Sequence, residues 1–282
     1  TFATKSSYYN KIIIAKKRSV FIIQEFVPYV PKSEMALLGR DLPQKMQTGG
    51  FDVRTFMPKW GNINERRGQL HEVIRLSGLN IVIDDTDHPL IIKVASIPVT
   101  RLQVYFIDNE DYFIKRRSMT EDENGDEEDD NAERAIFFSL GVLESVKKLR
   151  WDPDLIHCQG WMAGVIPLYI KTAYHDDPSF ANTKVVTSLF SKQFKANFGT
   201  KFKECVEFGT AKADLLKKYS EHFDYIDLAK LAIDYSDGVI EAAENVNDTL
   251  RAYAKESGKP LMEYPGEDYA TAYKDFYNKL LG

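Results

Sequence analysis

Three runs decide the predicted fold: SVFIIQ (19–24), MALLGRDLPQKMQT (35–48) and FDVRTFM (51–57). The first is rich in β-branched and aromatic residues, which is typical of a strand buried on both faces. The second carries apolar residues at four-residue spacing and ends before a glycine pair, which predicts a helix. The third alternates and predicts another strand. Strand, helix and strand in this order predict the β-α-β unit of a parallel sheet.

The same alternation continues along the chain. Further strands are expected near 102–107, 154–157, 184–189 and 238–241, with helices over 136–149, 162–173, 225–235 and 267–281. A hairpin is expected from strands at 80–84 and 90–97, with 85–89 as the connection. We therefore predict an N-terminal arm, 1–18, followed by a single Rossmann-like α/β domain over 19–282. Its sheet is expected to be mainly parallel, with helices on both faces.

Composition narrows the class of protein. The 282 residues carry 37 basic and 42 acidic side chains, a formal net charge of −5. This balance does not favour a nucleic-acid partner, which normally requires a basic stripe. No run reaches the roughly 18 apolar residues that cross a bilayer, so no membrane association is expected. The two cysteines, Cys158 and Cys205, do not form a disulfide framework and predict a reducing, cytoplasmic location.

One segment departs sharply from the average composition. The run EDENGDEEDD (121–130) holds eight acidic side chains in ten residues. Like charges at this density repel and stay solvated, so we expect a mobile surface loop over 121–130. Order is expected to return at Asp130, where a helix begins, because Asp is a good N-cap. Calcium binding is the alternative, although the run lacks the ligand pattern of an EF-hand.

Generic chemical signatures are scarce. The motifs G-x-G-x-x-G, G-x-x-x-x-G-K-[ST] and G-x-S-x-G are absent, which argues against ordinary dinucleotide enzymes, P-loop enzymes and serine hydrolases. No cofactor and no metal site are predicted. The one cluster of ligand-type residues is expected to be an Asp-rich turn, with metal binding as its alternative; it consists of Asp84, Asp85, Asp87 and His88.

A histidine follows the short apolar strand near 155. Ligands of open α/β sheets bind beyond the carboxyl ends of the strands, so His157 is a candidate donor to a bound sugar or phosphate. The alternative is a buried structural histidine. Trp161, four residues later, either stacks on a sugar face or belongs to the core.

Several short motifs, taken in order, resemble those of the starch and glycogen synthases, which are GT-B glycosyltransferases. The family's E-x-x-P-x-x-K-x-G-G-L motif and its following Leu-Pro are matched by Glu25, Pro28, Leu42 and Pro43. The family's D-N-x-x-R is matched by Asp130, Asn131 and Arg134, and its P-D-x-x-H-x-H-D-W-H by PDLIH (153–157) and Trp161. The resemblance runs from about residue 19 to about residue 243.

This resemblance implies an activity in glycogen biosynthesis: the transfer of glucose from ADP-glucose to the end of an α-1,4-glucan. It implies an α-glucan and a sugar nucleotide as partners. By motif position, Asp130 and His157 are the candidate catalytic residues. The donor or sugar site would be formed by Pro31, Lys32, Ser33, Glu34, Trp161 and Met162.

The departures from the family's pattern fall at the positions that bind the donor. Pro31 occupies the position of the phosphate-facing lysine, and Ser33-Glu34 replaces the glycine pair. Met162 occupies the position of the sugar-contacting histidine. The resemblance covers only the N-terminal half of a GT-B enzyme. We therefore expect an isolated chain that is inactive in transfer, with a second half-domain protein as a partner. The alternative is a non-catalytic glucan-binding or regulatory module.

Overall fold

The computed structural model describes residues 16–195, 197–199 and 201–282. Residues 1–15 of the predicted arm lie outside the described residues, and the first strand already begins at Arg18. The strands are β1 Arg18–Ile23, β2 Asp52–Pro58, β3 His71–Glu72, β4 Asn80–Ile83, β5 Thr86–Pro89, β6 Ile91–Ser96, β7 Gln103–Asp108, β8 Leu155–Gln159, β9 Lys184–Leu189, β10 Gly238–Glu241 and β11 Leu261–Met262.

A nine-stranded sheet organises the described part of the chain, in the order β11-β10-β9-β8-β1-β2-β7-β6-β3. All pairings from β11 to β7 are parallel, and β6 and β3 extend the sheet in antiparallel fashion. The predicted parallel strands are confirmed within one or two residues. The hydrophobic run 19–24 forms the centre of this sheet, which explains why it is apolar on both faces.

The helices are α1 Glu34–Thr48, α2 Glu65–Gly68, α3 Asn131–Lys148, α4 Ile166–Lys171, α5 Phe202–Cys205, α6 Tyr225–Tyr235, α7 Asp248–Glu256 and α8 Tyr269–Leu281. The helix expected over 162–173 is divided into a 3-10 turn, Trp161–Ala163, and α4.

Helices cover both faces of the sheet, as predicted. Phe21 and Ile23 point to one face of β1; α8 packs on it through Tyr277, and α1 approaches Ile23 so closely that only Gly39 fits there. The strand register places Ile107 on the opposite face, together with Ile22. Gly141 of α3 lies against Ile107, so α3 covers this second face. This three-layer arrangement confirms the α/β fold class.

The hairpin differs from the prediction. β4 pairs with β5, so residues 86–89 form a strand and not a turn. The turn is only Asp84-Asp85, with φ of 47° and 58°, a left-handed conformation that Asp tolerates. The expected second strand, at 90–97, is β6, which pairs with β7 in the main sheet. Hydrophobic alternation located the strands but not their partners, because pairing depends on distant residues.

The acidic segment folds back on itself locally. A bridge joins Glu121 to Glu127, and the Asp122 carboxylate accepts hydrogen bonds from the backbone N–H groups of Asn124 and Asp126. Helix α3 begins at Asn131, directly after Asp130, where the start of a helix was expected. The mobility of 121–130 stays a prediction.

None of the helices that the structure describes is long and apolar enough to cross a membrane.

Candidate functional site

The carboxyl ends of the parallel strands converge on one edge of the sheet and carry buried polar side chains. Each of these residues is at most 4% exposed: Gln24, Glu25, Lys59, Asp108, Gln159 and Glu241. Ligand sites of open α/β sheets lie at such an edge. Burying polar groups costs free energy, so six of them at one edge of the sheet indicate a candidate functional site.

The start of α1 forms one wall of the edge. Ser33 caps the helix, its Oγ accepting from the Ala36 N–H at 2.9 Å and donating to Glu25 Oε2 at 2.5 Å. Lys192 Nζ, from the loop after β9, lies 3.1 Å from Glu25 Oε1. Pro31, Lys32 and Glu34 are exposed beside this cap. The Ser33 hydroxyl and the Glu34 carboxylate therefore both lie at the positive end of the α1 dipole.

The turn after β8 forms the next wall. Gly160 has φ of +85°, which Gly adopts without strain, and it lies against Gln24. The Met162 N–H donates to Gln24 Oε1 at 3.3 Å, and the Met162 side chain is buried. The Trp161 ring lies 4.9 Å and 5.7 Å from the rings of Phe194 and Phe198. Trp161 is only 7% exposed, which favours the core interpretation of this residue.

His157 lies under α8 and has no access to solvent. Its Nδ1 accepts from Tyr277 Oη at 2.8 Å and from the Gln159 amide at 3.2 Å, so Nε2 carries the proton and donates to Ser188 Oγ at 2.6 Å. Burial lowers the pKa of His157 to about 3. All of its hydrogen-bonding capacity is used inside the chain, as in the structural alternative.

Asp130 precedes α3 but makes no capping hydrogen bond. Its Oδ2 instead pairs with Arg116, which also pairs with Glu128. Burial raises the pKa of Asp130. Asp130 pairs with Arg116, whereas His157 bonds to Gln159, Ser188 and Tyr277, so these polar contacts of the two residues have no partner in common.

Arg134, the last residue of the D-N-x-x-R match, is fully buried. Its guanidinium donates to Asn131 Oδ1 at 2.9 Å and to the Met119 carbonyl at 2.7 Å. It also lies 5.3 Å from the ring centroids of Trp60 and Phe113. In this chain the motif anchors the segment before α3 to the core, which is a structural role.

Sequence reasoning missed a charged network at the ends of β2 and β7. Lys93 Nζ lies 2.6 Å from Glu65 Oε1 and 2.9 Å from Asp108 Oδ2, and Lys59 Nζ lies 3.0 Å from Glu65 Oε1. Burial raises the pKa of Asp108. The only sequence signal for this network is Asp108, an acidic residue at the end of an apolar strand. The other members, Lys59, Glu65 and Lys93, come from three separate segments.

The Asp-rich cluster consists of Asp84, Asp85, Asp87 and His88. Among the residues that the structure describes, no group of three or more His, Cys, Asp and Glu side chains is placed to hold a metal ion. His88 instead stacks on Tyr112 at 4.5 Å, and the Tyr112 hydroxyl donates to Glu133 at 2.8 Å. Only Asp84 and Asp85 of this cluster form the turn, because Asp87 and His88 belong to strand β5.

The comparisons with known proteins identify the family of this chain and show a solved structure of the same fold. Residues 18–258 match the family model of the starch synthase catalytic domain. Glycogen synthase of Chlorobium limicola is 38% identical over 170 residues, which cover 60% of this chain and 35% of the relative. Glycogen synthase of Chlorobaculum parvum is 30% identical over 264 residues, which cover 93% of this chain and 52% of the relative.

A solved structure shows the same fold. The catalytic domain of starch synthase IV from Arabidopsis thaliana, bound to ADP and acarbose, superposes with a TM-score of 0.69 at 16% identity, over 89% of this chain and 51% of that one. The superposition shows that the chain shares the α/β fold class of that catalytic domain. Within that class, the chain belongs to the starch synthase catalytic domain family. It spans between a third and about half of the length of the relatives it matches.

Proposed function

We propose that this chain is the N-terminal, acceptor-side half of an ADP-glucose-dependent glucosyltransferase. In this proposal it binds an α-1,4-glucan, works in the cytoplasm, and does not transfer glucose as an isolated 282-residue chain. Family membership supports the type of reaction. Transfer itself requires a second half-domain, supplied by further sequence or by a partner protein.

The side chains at the start of α1 are the main support for the proposed inactivity of the isolated chain. Loss of a nucleoside diphosphate requires stabilisation of negative charge as the glycosidic bond breaks. Here Ser33 Oγ already caps the helix, and the exposed Glu34 carboxylate occupies its first turn. A carboxylate at this position repels a diphosphate. Met162 supplies no proton at the position of the family's sugar-contacting histidine. Each such loss costs about a hundredfold or more in rate.

The roles of the remaining positions follow from this proposal. Lys32, Ser33 and Trp161 would border the glucan end at the strand edge. Asp130 and His157 stay candidates for catalytic roles, and both contact other residues of the chain in preference to open solvent. In this structure Asp130 pairs with Arg116, and His157 forms a hydrogen bond with Ser188.

The alternative function is a non-catalytic glucan-binding or regulatory module. The burial of His157 under α8 favours it, because this imidazole has no exposed surface and its ring nitrogens bond to other residues of the chain. The two functions differ in one measurable property, which is whether a complementary half-domain restores turnover.

The test is the incorporation of radiolabelled glucose from ADP-glucose into glycogen by the purified chain. We expect background incorporation, together with retardation of the chain in a glycogen-containing native gel. Turnover above background that is lost in Asp130→Ala or His157→Ala would overturn the proposed inactivity. Asp129→Ala and His175→Ala are the matched controls, because both side chains are exposed.

A further inference from the structure

A pocket of about 280 Å³ lies at the opposite edge of the sheet, where β1 and β2 begin. Its lining comes from three parts of the chain: the residues before β1, the connection from α1 to β2, and α8. Since β1 and β2 are six and seven residues long, this pocket lies about 20 Å from the edge that carries the buried polar side chains. We call it the lysine pocket, and it is lined by Lys16, Lys17, Lys274, Asn278 and residues 49–51.

The charged groups of the lysine pocket are all positive. Lys16, Lys17 and Lys274 contribute ammonium groups, and Asn278 contributes an amide that can donate hydrogen bonds. Within the described part of the chain no carboxylate lines this pocket, and none of the three lysines forms an ion pair with another described residue. In the whole chain, by contrast, acidic residues outnumber basic ones by 42 to 37. This local excess of positive charge attracts an anion.

The backbone around the lysine pocket is held by contacts within the chain. The Lys17 carbonyl accepts from the Asp52 N–H at 2.9 Å, which fixes Lys17 beside the start of β2. A Cβ at Gly49 would lie 3.6 Å from Lys274 Cδ, so the stem of this lysine packs against the end of α1. A Cβ at Gly50 would meet nothing within 4 Å, which leaves space for a ligand. A preformed pocket of this kind loses less conformational entropy when it binds.

Lysines near helix ends often serve only to offset the helix dipole. Here α1 already has Lys45 in its last turn, and α8 has Lys279 in its last turn. Three of the last carbonyl groups of α1 also accept from the N–H groups of residues 49–51. Both helix ends are therefore compensated without the three lysines of the pocket, which can hold an external anion.

We infer that the lysine pocket binds a phosphate group, carried by inorganic phosphate or by the monoester of a small metabolite. Lysine binds phosphate as a point charge, and three lysines exceed the charge of a phosphate dianion. The volume of about 280 Å³ fits a small ligand, because sites for drug-sized ligands measure about 300–1,000 Å³. The pocket lies away from the strand edge, so this inference does not depend on the proposed function.

The test is a phosphorus NMR titration of inorganic phosphate with the full chain at neutral pH and low ionic strength. We expect saturable broadening of the phosphate signal, and Lys17→Gln and Lys274→Gln should each weaken binding about fivefold because one cation is lost. Lys279→Gln is the matched control, since this exposed lysine belongs to the same helix but does not line the pocket. Lys32→Gln removes a cation at the strand edge. Both control variants are expected to bind like the parent chain.

A bound phosphate would also connect α8 to the residues before β1. Phosphate should therefore raise the melting temperature of the parent chain, and Lys274→Gln should lose most of this rise. Repeating the titration with methyl phosphate distinguishes the two sources of the phosphate group. Tighter binding of the ester indicates a metabolite, and tighter binding of inorganic phosphate indicates the free ion; either order supports the inference.

Three outcomes would overturn the inference. The first is the absence of saturable broadening, and the second is equal affinity in the parent chain, Lys17→Gln and Lys274→Gln. The third is an equal loss of affinity in Lys279→Gln or Lys32→Gln, which would show diffuse attraction to surface lysines or binding at the strand edge. Melting of each variant without phosphate confirms that the fold is retained.

Discussion

At the residue scale, His157 occupies a position of the family motif, but its contacts are those of a buried structural histidine. The imidazole is held by Ser188 and Tyr277, residues that are 31 and 120 positions away in the chain. Both ring nitrogens are occupied, and the ring contacts Phe21 and Tyr277 edge-on. Protonation would place a positive charge where water has no access, and this desolvation lowers the pKa of His157.

This burial predicts a pH-dependent stability. Because the folded-state pKa of about 3 lies below the usual 6.5, the unfolded chain takes up the proton first. The stabilisation is complete above pH 6.5 and is lost as pH falls toward 3. Between pH 7.5 and 5.5 we expect the free energy of unfolding of the parent chain to drop about 1.4 kcal/mol more than that of His157→Gln. Urea unfolding at both pH values measures this, with His175→Gln as control; parallel losses in all three chains would contradict it.

At the element scale, the turn that ends β8 depends on close packing against β1. A Cβ at Gly160 would lie 2.7 Å from Gln24 Cβ and 3.1 Å from Met35 Sδ. Gly125, in the acidic segment, has nearly the same φ, +84° against +85°, and nothing within 4 Å. The two glycines therefore separate backbone strain from steric overlap.

We predict that Gly160→Ala destabilises the chain more than Gly125→Ala. Both substitutions place a Cβ at positive φ, which costs about 1–2 kcal/mol. Only Gly160→Ala also forces Gln24 or the turn to move, which adds roughly 1–3 kcal/mol. The midpoints of urea unfolding at pH 7.5 compare the two. Equal midpoints would show that the turn yields freely and that the close contact with Gln24 carries no energy.

At the scale of the whole molecule, α8 completes the layer on one side of the sheet. Tyr273 and Tyr277 are almost fully buried by this packing, and Phe276 lies against Gly238 of β10. The partner surfaces, Phe21, Phe51 and His157, belong to the first half of the chain and to β8. Helix α8, which is late in the sequence, therefore covers core residues that come from its first sixty positions.

We predict that a chain ending at residue 267 loses its cooperative unfolding transition and binds a hydrophobic dye, because Phe21 and Phe51 become exposed. Tyr277→Phe is the matched control, since it keeps the ring and removes only the hydroxyl bonded to His157, at a cost of about 1 kcal/mol. Calorimetry and dye fluorescence measure both variants. A truncated chain with the parent's melting temperature would contradict the role of α8.

The sequence by itself determined which segments form strands and helices, because hydrophobic period and helix-ending glycines are local properties. It therefore located β1, α1, β2, β7, β8, β9 and α6, and the motif order identified the family. The resemblance to the family, and not a local pattern, assigned Ser33, Glu34, Trp161 and Met162 to one donor or sugar site.

Only the tertiary structure decided which side chains meet. The pairing of Arg116 with Asp130, of Lys192 with Glu25 and of Tyr277 with His157 joins distant segments. The same holds for β6, whose partner is β7 and not the strand of the expected hairpin. Such contacts form only when the helices pack on the sheet. Each contact joins residues far apart in the sequence, and no local sequence pattern relates such residues to each other.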